Sequence, residues 1–414
     1  MTVGRVVVTG IGLITPLGLD TASTWEGLIA GRSGIGHLTC FDASAYEYPI
    51  AGEVKGFEPE RYVEAKLLRR IDRSTALALA ATRLAVDDAH LDVAALPPDT
   101  VGCVLGTGMG GAHLLIENQR VLDEKGPRRV NPFMITSMLP DTATGLVAIT
   151  LGAQGPNFAI TAACATGGAA LGECAEIVAR GDAKVMIGGG FEAPLRPVYY
   201  AGFAAMRALA EHDDPTKASR PFDRDRNGFV ISEGAGILIL EALEHAQARG
   251  ARIYAEWKGA GTSNDAFDMV AAAEDGRGIS GAIRRSLTRA GLAPDAIDYV
   301  NAHGTGTPLN DRVETRALHG IFGAHASKLL VSSTKSMTGH MMGAAGAVEG
   351  AVAALVCHHQ IVPPTINYTT PDPDCDLDYV PNEARRATIR NAMSTSVGLG
   401  GHNSSIIFGR WEGA

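Results

Sequence analysis

Residues 91–108, LDVAALPPDTVGCVLGTG, and residues 290–306, AGLAPDAIDYVNAHGTG, follow one plan: a proline-aspartate turn, a short apolar run, then Gly-Thr-Gly. Each is preceded by a helical pattern, ALALAATRLAVDDA (76–89) and GISGAIRRSLTRAG (278–291), in the second of which Ile279, Ile283 and Leu287 recur every four residues. A short apolar run bounded by turn residues predicts a buried strand. One supersecondary unit used twice is therefore expected.

The parallel extends outward. Beyond each Gly-Thr-Gly come a strand end, an elbow of small residues and a helix: ITAACATGG (160–168) in one half, SSTKSMTGHMMGAAG (332–346) in the other. This places Cys164 and His340 at equivalent positions. Each half closes on a glycine-rich strand pair, GDAKVMIGGG (181–190) and STSVGLGGHNSSIIF (394–408). Strands alternating with helices define an α/β protein, with 109–140 as its least regular stretch. In doubly wound sheets functional groups gather at the carboxyl ends of strands and at helix N-termini, so two facing halves would unite Cys164, His303 and His340.

The 45 acidic and 36 basic residues leave a net charge of −9, which argues against general binding to nucleic acid or anionic membranes. Any basic docking patch must be local. The first residues, MTVGRVVVTG, lack the features of a signal peptide, and AAGAVEGAVAALV (344–356) is too short to span a bilayer, so a cytoplasmic protein is expected. Six scattered cysteines without a C-x-x-C pair suggest neither a disulfide framework nor a zinc site. Gly106 to Gly111 matches G-x-G-x-x-G after a strand, yet the following AHLLIENQRVLDEKG lacks the rest of a dinucleotide-binding unit.

A helix N-terminus lowers a thiol's pKa, so Cys164 is expected to be a ready nucleophile whose own amide can serve an oxyanion hole. Taken alone it is as well explained as a small buried hydrophobe. His303, in NAHGTGTP, stands at a strand end among glycines, with the Thr305 and Thr307 hydroxyls beside it. His340 opens a helix, where the macrodipole disfavours an imidazolium and a neutral ring should act as a donor, not a base. Two neutral donors beside a thiol suit an acyl transfer that forms a carbanion, because the charge collects on a thioester oxygen. Lys335 and Glu349, if buried nearby, would set the site's electrostatics.

ITAACATGG, RPFDRDRNGFVISEGAG (220–236), NAHGTGTPLND (301–311), SSTKSMTGHMMGAAGAVEG (332–350) and GLGGHNSS (398–405) together resemble the elongating β-ketoacyl-acyl-carrier-protein synthases. The resemblance covers nearly the whole chain. It implies a duplicated thiolase-like fold in five layers, α-β-α-β-α, divided here into an N-terminal half (1–250) carrying Cys164 and a C-terminal half (251–414) carrying His303 and His340, and acting as a dimer. It further implies that Cys164 takes the acyl chain and that His303 and His340 drive decarboxylation of malonyl-carrier protein before Claisen condensation. Lys335 and Glu349 match the family's lysine and glutamate, Asp311 and Glu314 its acidic helix positions, and the Cys164 and Leu399 amides its oxyanion hole. Substrates ride on the phosphopantetheine of an acyl carrier protein, at which Thr305 and Thr307 are placed, and no other cofactor is implied. Lys66, Arg69, Arg70, Arg128, Arg129 and Arg207 are the expected carrier-docking residues.

The chain departs from the family at its gate. Where Asn-Ser-Phe-Gly-Phe-Gly-Gly is usual, residues 395–401 read TSVGLGG, so Val397 and Leu399 replace two aromatic rings. Tyr199 stands where a small residue is common, and Met109, Met134, Phe203 and Met342 complete the expected acyl pocket. These changes point to unusual acyl chains, as in specialised polyketide or polyene synthesis. A degradative thiolase would need a second cysteine where GLGGHNSS offers His402, and an initiating condensing enzyme would show asparagine at His340. A non-catalytic partner subunit would lack the nucleophile. A catalytic half of a heterodimer with a chain-length-factor-like subunit remains open beside a homodimer.

Overall fold

The computed structural model describes residues 4–413. Ten strands form one mixed sheet built from two copies of a single pattern. The first half supplies β1 (Val6–Ile14), β2 (Val101–Gly106), β3 (Asn157–Ile160), β4 (Val185–Glu192) and β5 (Gly234–Ala242). The second supplies β6 (Ala255–Asn264), β7 (Tyr299–Asn301), β8 (Leu330–Ser332), β9 (Asn391–Gly398) and β10 (His402–Arg410). Their spatial order is β3-β2-β4-β5-β1 and β8-β7-β9-β10-β6, the same in both halves, and the two sets join where β1 runs antiparallel to β6. The strands ending in the two Gly-Thr-Gly turns, β2 and β7, are parallel to both neighbours, whereas the closing pairs β4/β5 and β9/β10 are antiparallel.

Helices cover both outer faces. On the first half α1 (Arg73–Asp88) lies over β1 and β5 and against α2 (Thr142–Leu151). On the second α4 (Arg277–Ala290) lies over β6 and β10, with α5 (Pro308–Phe322) beside it. The four-residue repeat of α4 reads correctly: Ile279, Ile283 and Leu287 are all buried. Between the halves run α3 (Thr166–Arg180) and α6 (Ala345–His359), each touching strands of both. The result is the five-layer thiolase-like arrangement.

The central helices meet at their N-terminal ends through small residues. A Cβ on Gly167 would lie 2.4 Å from the Ala347 amide nitrogen, and one on Gly346 would lie 2.8 Å from that of Gly168. Backbone therefore packs on backbone, which brings the elbow before α3 and the segment before α6 together. The elbows differ by one insertion, because a short helix, Lys335–Thr338, intervenes before His340. His340 thus precedes α6 by five residues and does not open it.

The expectation of irregularity in 109–140 is only partly met, since helices span His113–Lys125 and Met134–Met138. Between β4 and β5 an insertion crosses to the other half. Within it Phe222 stacks on Tyr379, with ring centroids 4.0 Å apart, and the His340 backbone is held on both sides, its N–H by the Val230 carbonyl and its carbonyl by the Ser232 N–H. Among the described residues no helix is long and apolar enough to cross a membrane, and all six cysteines are free.

Candidate active site

Cys164 stands in the turn between β3 and α3. The preceding Ala163 takes a left-handed conformation (φ 47°), and the Ala162 N–H donates to Thr166 Oγ1 at 2.7 Å, which tightens the elbow. From the other half His340 Nε2 lies 3.1 Å from Cys164 Sγ, and the His303 and His340 rings stand edge to face with centroids 5.3 Å apart. All three side chains are buried.

The Nδ1 atoms of both histidines are buried without a hydrogen-bond partner. An orphaned N–H donor costs more than an orphaned lone pair on a ring nitrogen, so the proton belongs on Nε2 in each ring. Both Nε2–H groups are then available to the cleft. Burial holds both imidazoles well below their ordinary pKa, and the Lys335 ammonium lowers them further. Neutral donors are what the sequence leads one to expect, but the cause is burial and a nearby cation, not a helix dipole.

The expectation of an acidified thiol is overturned. Burial pushes Cys164 up to about 12, and neither the Lys335 charge nor the hydrogen bond from the Leu399 N–H offsets it. The thiol rests protonated. That same bond places the Leu399 amide at the sulfur, beside the cysteine's own amide.

Lys335 and Glu349 form an ion pair at 2.5 Å, both fully buried beneath the histidines. Burial pushes the Glu349 carboxyl up to about 7, with Lys335 opposing the rise. Glu314, also buried, accepts the N–H groups of His303 and Gly304 and the Thr395 hydroxyl, each at 2.8 Å. Asp311 accepts from the Phe222 and Gly306 amides beside Arg226. These carboxylates pin the loop carrying His303.

A cleft of about 310 Å³ opens over the three groups. Of the residues expected at its walls, Phe203, Met342, Val397, Leu399, Thr305 and Thr307 border it. Met109 packs in the apolar cluster around Cys164 without reaching the opening. Tyr199 and Met134 do not line it. Tyr199 is half-buried elsewhere, with its hydroxyl unpartnered, and its neighbour Tyr200 occupies the cluster in its place, its hydroxyl accepting the Ile50 N–H. Met134 lies on the outer helix Met134–Met138, next to exposed Phe133 and Ile135.

Sequence reasoning missed Phe229, whose ring stands edge-on to His340 at 5.4 Å, and the 270–272 segment, which forms the opposite lip. Phe229 lay inside a quoted motif, but nothing in its spacing assigned it a wall. Of the expected docking residues Lys66, Arg69, Arg70, Arg128 and Arg129 surround one open depression, where Arg70 lies over the Phe133 ring at 4.2 Å. Arg207 borders a different one, with Glu47 and Glu211.

A buried thiol sharing one cleft with two neutral imidazoles, on a duplicated fold, defines a cysteine-dependent acyl-transfer enzyme. Residues 4–246 match the N-terminal domain of beta-ketoacyl synthases and residues 254–369 their C-terminal domain, so the chain belongs to the beta-ketoacyl synthase family. It is 48% identical over 409 residues to 3-oxoacyl-[acyl-carrier-protein] synthase 2 of Synechocystis, covering 99% of this chain and 98% of that protein. It is also 48% identical over 408 residues to the Staphylococcus aureus protein of the same name, covering 99% of each. Among solved structures it is similar to the ishigamide ketosynthase/chain length factor, with a TM-score of 0.92, 36% identity and 99% of both chains covered. It is similar as well to a type II PKS ketosynthase solved with its acyl-carrier protein and bound to the hexaketide, with a TM-score of 0.91, 34% identity, and 99% of this chain and 100% of that one covered.

Both buried histidines titrate below the value of about 6.5 they would have unfolded. As pH falls through that value the unfolded chain binds protons that the folded chain refuses, so stability is lost toward acid. One pH unit below, this costs about 1.4 kcal/mol per ring. Replacing both with asparagine should remove about 2–3 kcal/mol of the stability loss between about pH 7.5 and about pH 5.5, read from denaturant midpoints. Glu349, shifted the other way, is common to both proteins. Equal losses in the two would contradict the assignment.

Proposed function

We propose that the protein condenses a Cys164-bound acyl chain with malonyl-carrier protein, releasing CO₂ and a β-ketoacyl-carrier protein. The observation that carries this reading is the convergence of the Cys164 sulfur and two Nε2–H donors on one cleft.

In the first step Cys164 Sγ attacks the thioester carbonyl of an acyl-carrier protein. The oxyanion is met by the Cys164 and Leu399 amides. Its collapse breaks the bond to the pantetheine sulfur, which departs as a thiol with the proton that Cys164 gives up. In the second step the bond between the malonyl carboxylate and its α-carbon breaks. CO₂ leaves, and the electron pair moves onto the thioester oxygen, held by Nε2–H of His303 and of His340. The α-carbon then attacks the Cys164 thioester, a carbon–carbon bond forms, and Cys164 leaves as a thiolate that takes one proton per turnover from solvent.

Burial keeps the two rings neutral and the Lys335 charge adds to it, while Glu349 pairs with Lys335. Thr305 and Thr307, whose hydroxyls lie 3.0 Å apart on the cleft wall, take the pantetheine amides. The carrier's phosphopantetheine is the only prosthetic group this scheme needs. The acidic carrier docks on the Lys66–Arg70 and Arg128–Arg129 depression. Leu399, 37% exposed at the mouth, gives a gate narrower in area than a phenyl ring, which favours admission of stiff or unsaturated chains beside the saturated chains of fatty-acid synthesis.

Edge strand β3 pairs on one side only and carries exposed Phe158, and exposed Ile149 lies on α2, which packs against it. A second chain of this fold, identical or a chain-length-factor-like partner, covers that face. Sedimentation of the purified protein at micromolar concentration should give a self-paired species of twice 43.1 kDa or, if the partner is a different chain, a one-to-one complex with it only when the two are expressed together. A monodisperse monomer under both conditions contradicts the pairing.

Incubation with acyl-carrier protein should add one acyl mass to the protein on Cys164, and Cys164→Ala should abolish the adduct. His303→Ala should keep the adduct but slow CO₂ release from malonyl-carrier protein by about 10²–10³-fold. An adduct on another residue, or decarboxylation indifferent to His303, would refute the scheme.

A further inference from the structure

Glu192, the last residue of β4, is 1% exposed and, among the described residues, forms no ion pair. Its carboxylate is instead filled by donors. Oε1 accepts the Thr107 hydroxyl (2.8 Å) and the Met109 N–H (3.1 Å), and Oε2 accepts the N–H groups of Gly108 (2.7 Å) and Gly343 (3.0 Å). A carboxylate offers about four lone-pair positions, and all are used.

The donors come from two different halves. Thr107, Gly108 and Met109 follow β2 in the first half, and Gly343 follows Met342 in the second. The two backbones are in contact, since a Cβ on Gly343 would lie 2.5 Å from the Gly108 nitrogen. Met109 and Met342 belong to the apolar cluster that contains Cys164, and Met342 is held in the left-handed region (φ 47°), where a side chain is strained. Glu192 thus bonds to both walls, at the Met109 amide itself and at Gly343, the residue after Met342.

We infer that Glu192 is a positioning residue that selects the acyl chain: it is the strut that fixes the gap between Met109 and Met342 beside Cys164. The inference rests on the acyl-transfer reading above and adds to it the residue that sets pocket width. Glutamine cannot replace it. Whichever way the amide turns, its NH₂ faces two N–H or O–H donors, so either the Met109 side or the Gly343 side is released. Thioether side chains are flexible enough to move apart once one side is free.

The test uses the full-length enzyme and a series of saturated acyl-carrier proteins, with acylation of Cys164 followed by intact mass. In Glu192→Gln the ratio of kcat/KM for a chain four carbons longer than the wild-type optimum to that for the optimum should rise by about threefold or more, chiefly through KM. A uniform loss across all chains, an unchanged ratio or a fall overturns the inference. If Glu192→Gln does not fold, Thr107→Val, which removes one of the four bonds, decides by a rise of about twofold or more in the same ratio. Failure of the wild-type enzyme to acylate Cys164 with any chain would instead overturn the acyl-transfer reading, and this inference with it.

Discussion

Where the central helices cross, Gly167 and Gly168 of one half lie against Gly346 and Ala347 of the other, with no room for a larger side chain. Everything at the site follows from that contact. Cys164 precedes one helix and His340 the other, so backbone packing sets the distance between sulfur and imidazole before either side chain chooses a rotamer. The insertion between β4 and β5 then fixes the His340 backbone through Val230 and Ser232, and Glu314 fixes that of His303. The reacting groups sit on rigid elements and are held by hydrogen bonds that do not involve them, which is how a site holds its geometry through a reaction.

Burial has opposite consequences for the groups it encloses. It keeps the thiol protonated and the imidazoles neutral, and it raises Glu349 and Glu192. The one buried cation among them, Lys335, works with burial at the histidines and against it at the cysteine. A site tuned this way has donors ready for a developing oxyanion and no standing thiolate to react with solvent. The buried carboxylates at the Gly-Thr-Gly turns, Glu192 in one half and Glu314 with Asp311 in the other, hold those turns by the same device of backbone N–H groups around a carboxylate.

The duplication was legible because the segments of β2 and β7 each carry a Pro-Asp turn, an apolar run and a Gly-Thr-Gly end, all local signals, whereas the strand order was not read from them. The meeting of Cys164, His303 and His340 was legible because strand ends and helix N-termini gather groups in such sheets. The state of the thiol was not. A helix N-terminus is visible in sequence, whereas the depth of burial that outweighs it depends on residues from both halves. Tyr199 and Tyr200 show the same limit on a smaller scale, since adjacent helix positions point about 100° apart: sequence placed Tyr199 at the cleft, whereas neither ring borders it and Tyr200 is the one packed in the cluster with Cys164. Arg207 was grouped with the other basic residues by charge, although the fold sets it beside Glu47 and Glu211. Glu192 escaped notice because its partners lie far away in the chain.

The most direct test of this account is the protonation of the two rings, read by nitrogen-15 chemical shifts of labelled histidines and assigned by substitution. From about pH 8 to about pH 6 both His303 and His340 should remain neutral Nε2–H tautomers with unchanging shifts. An imidazolium at either position at neutral pH, or a proton on Nδ1, would contradict it.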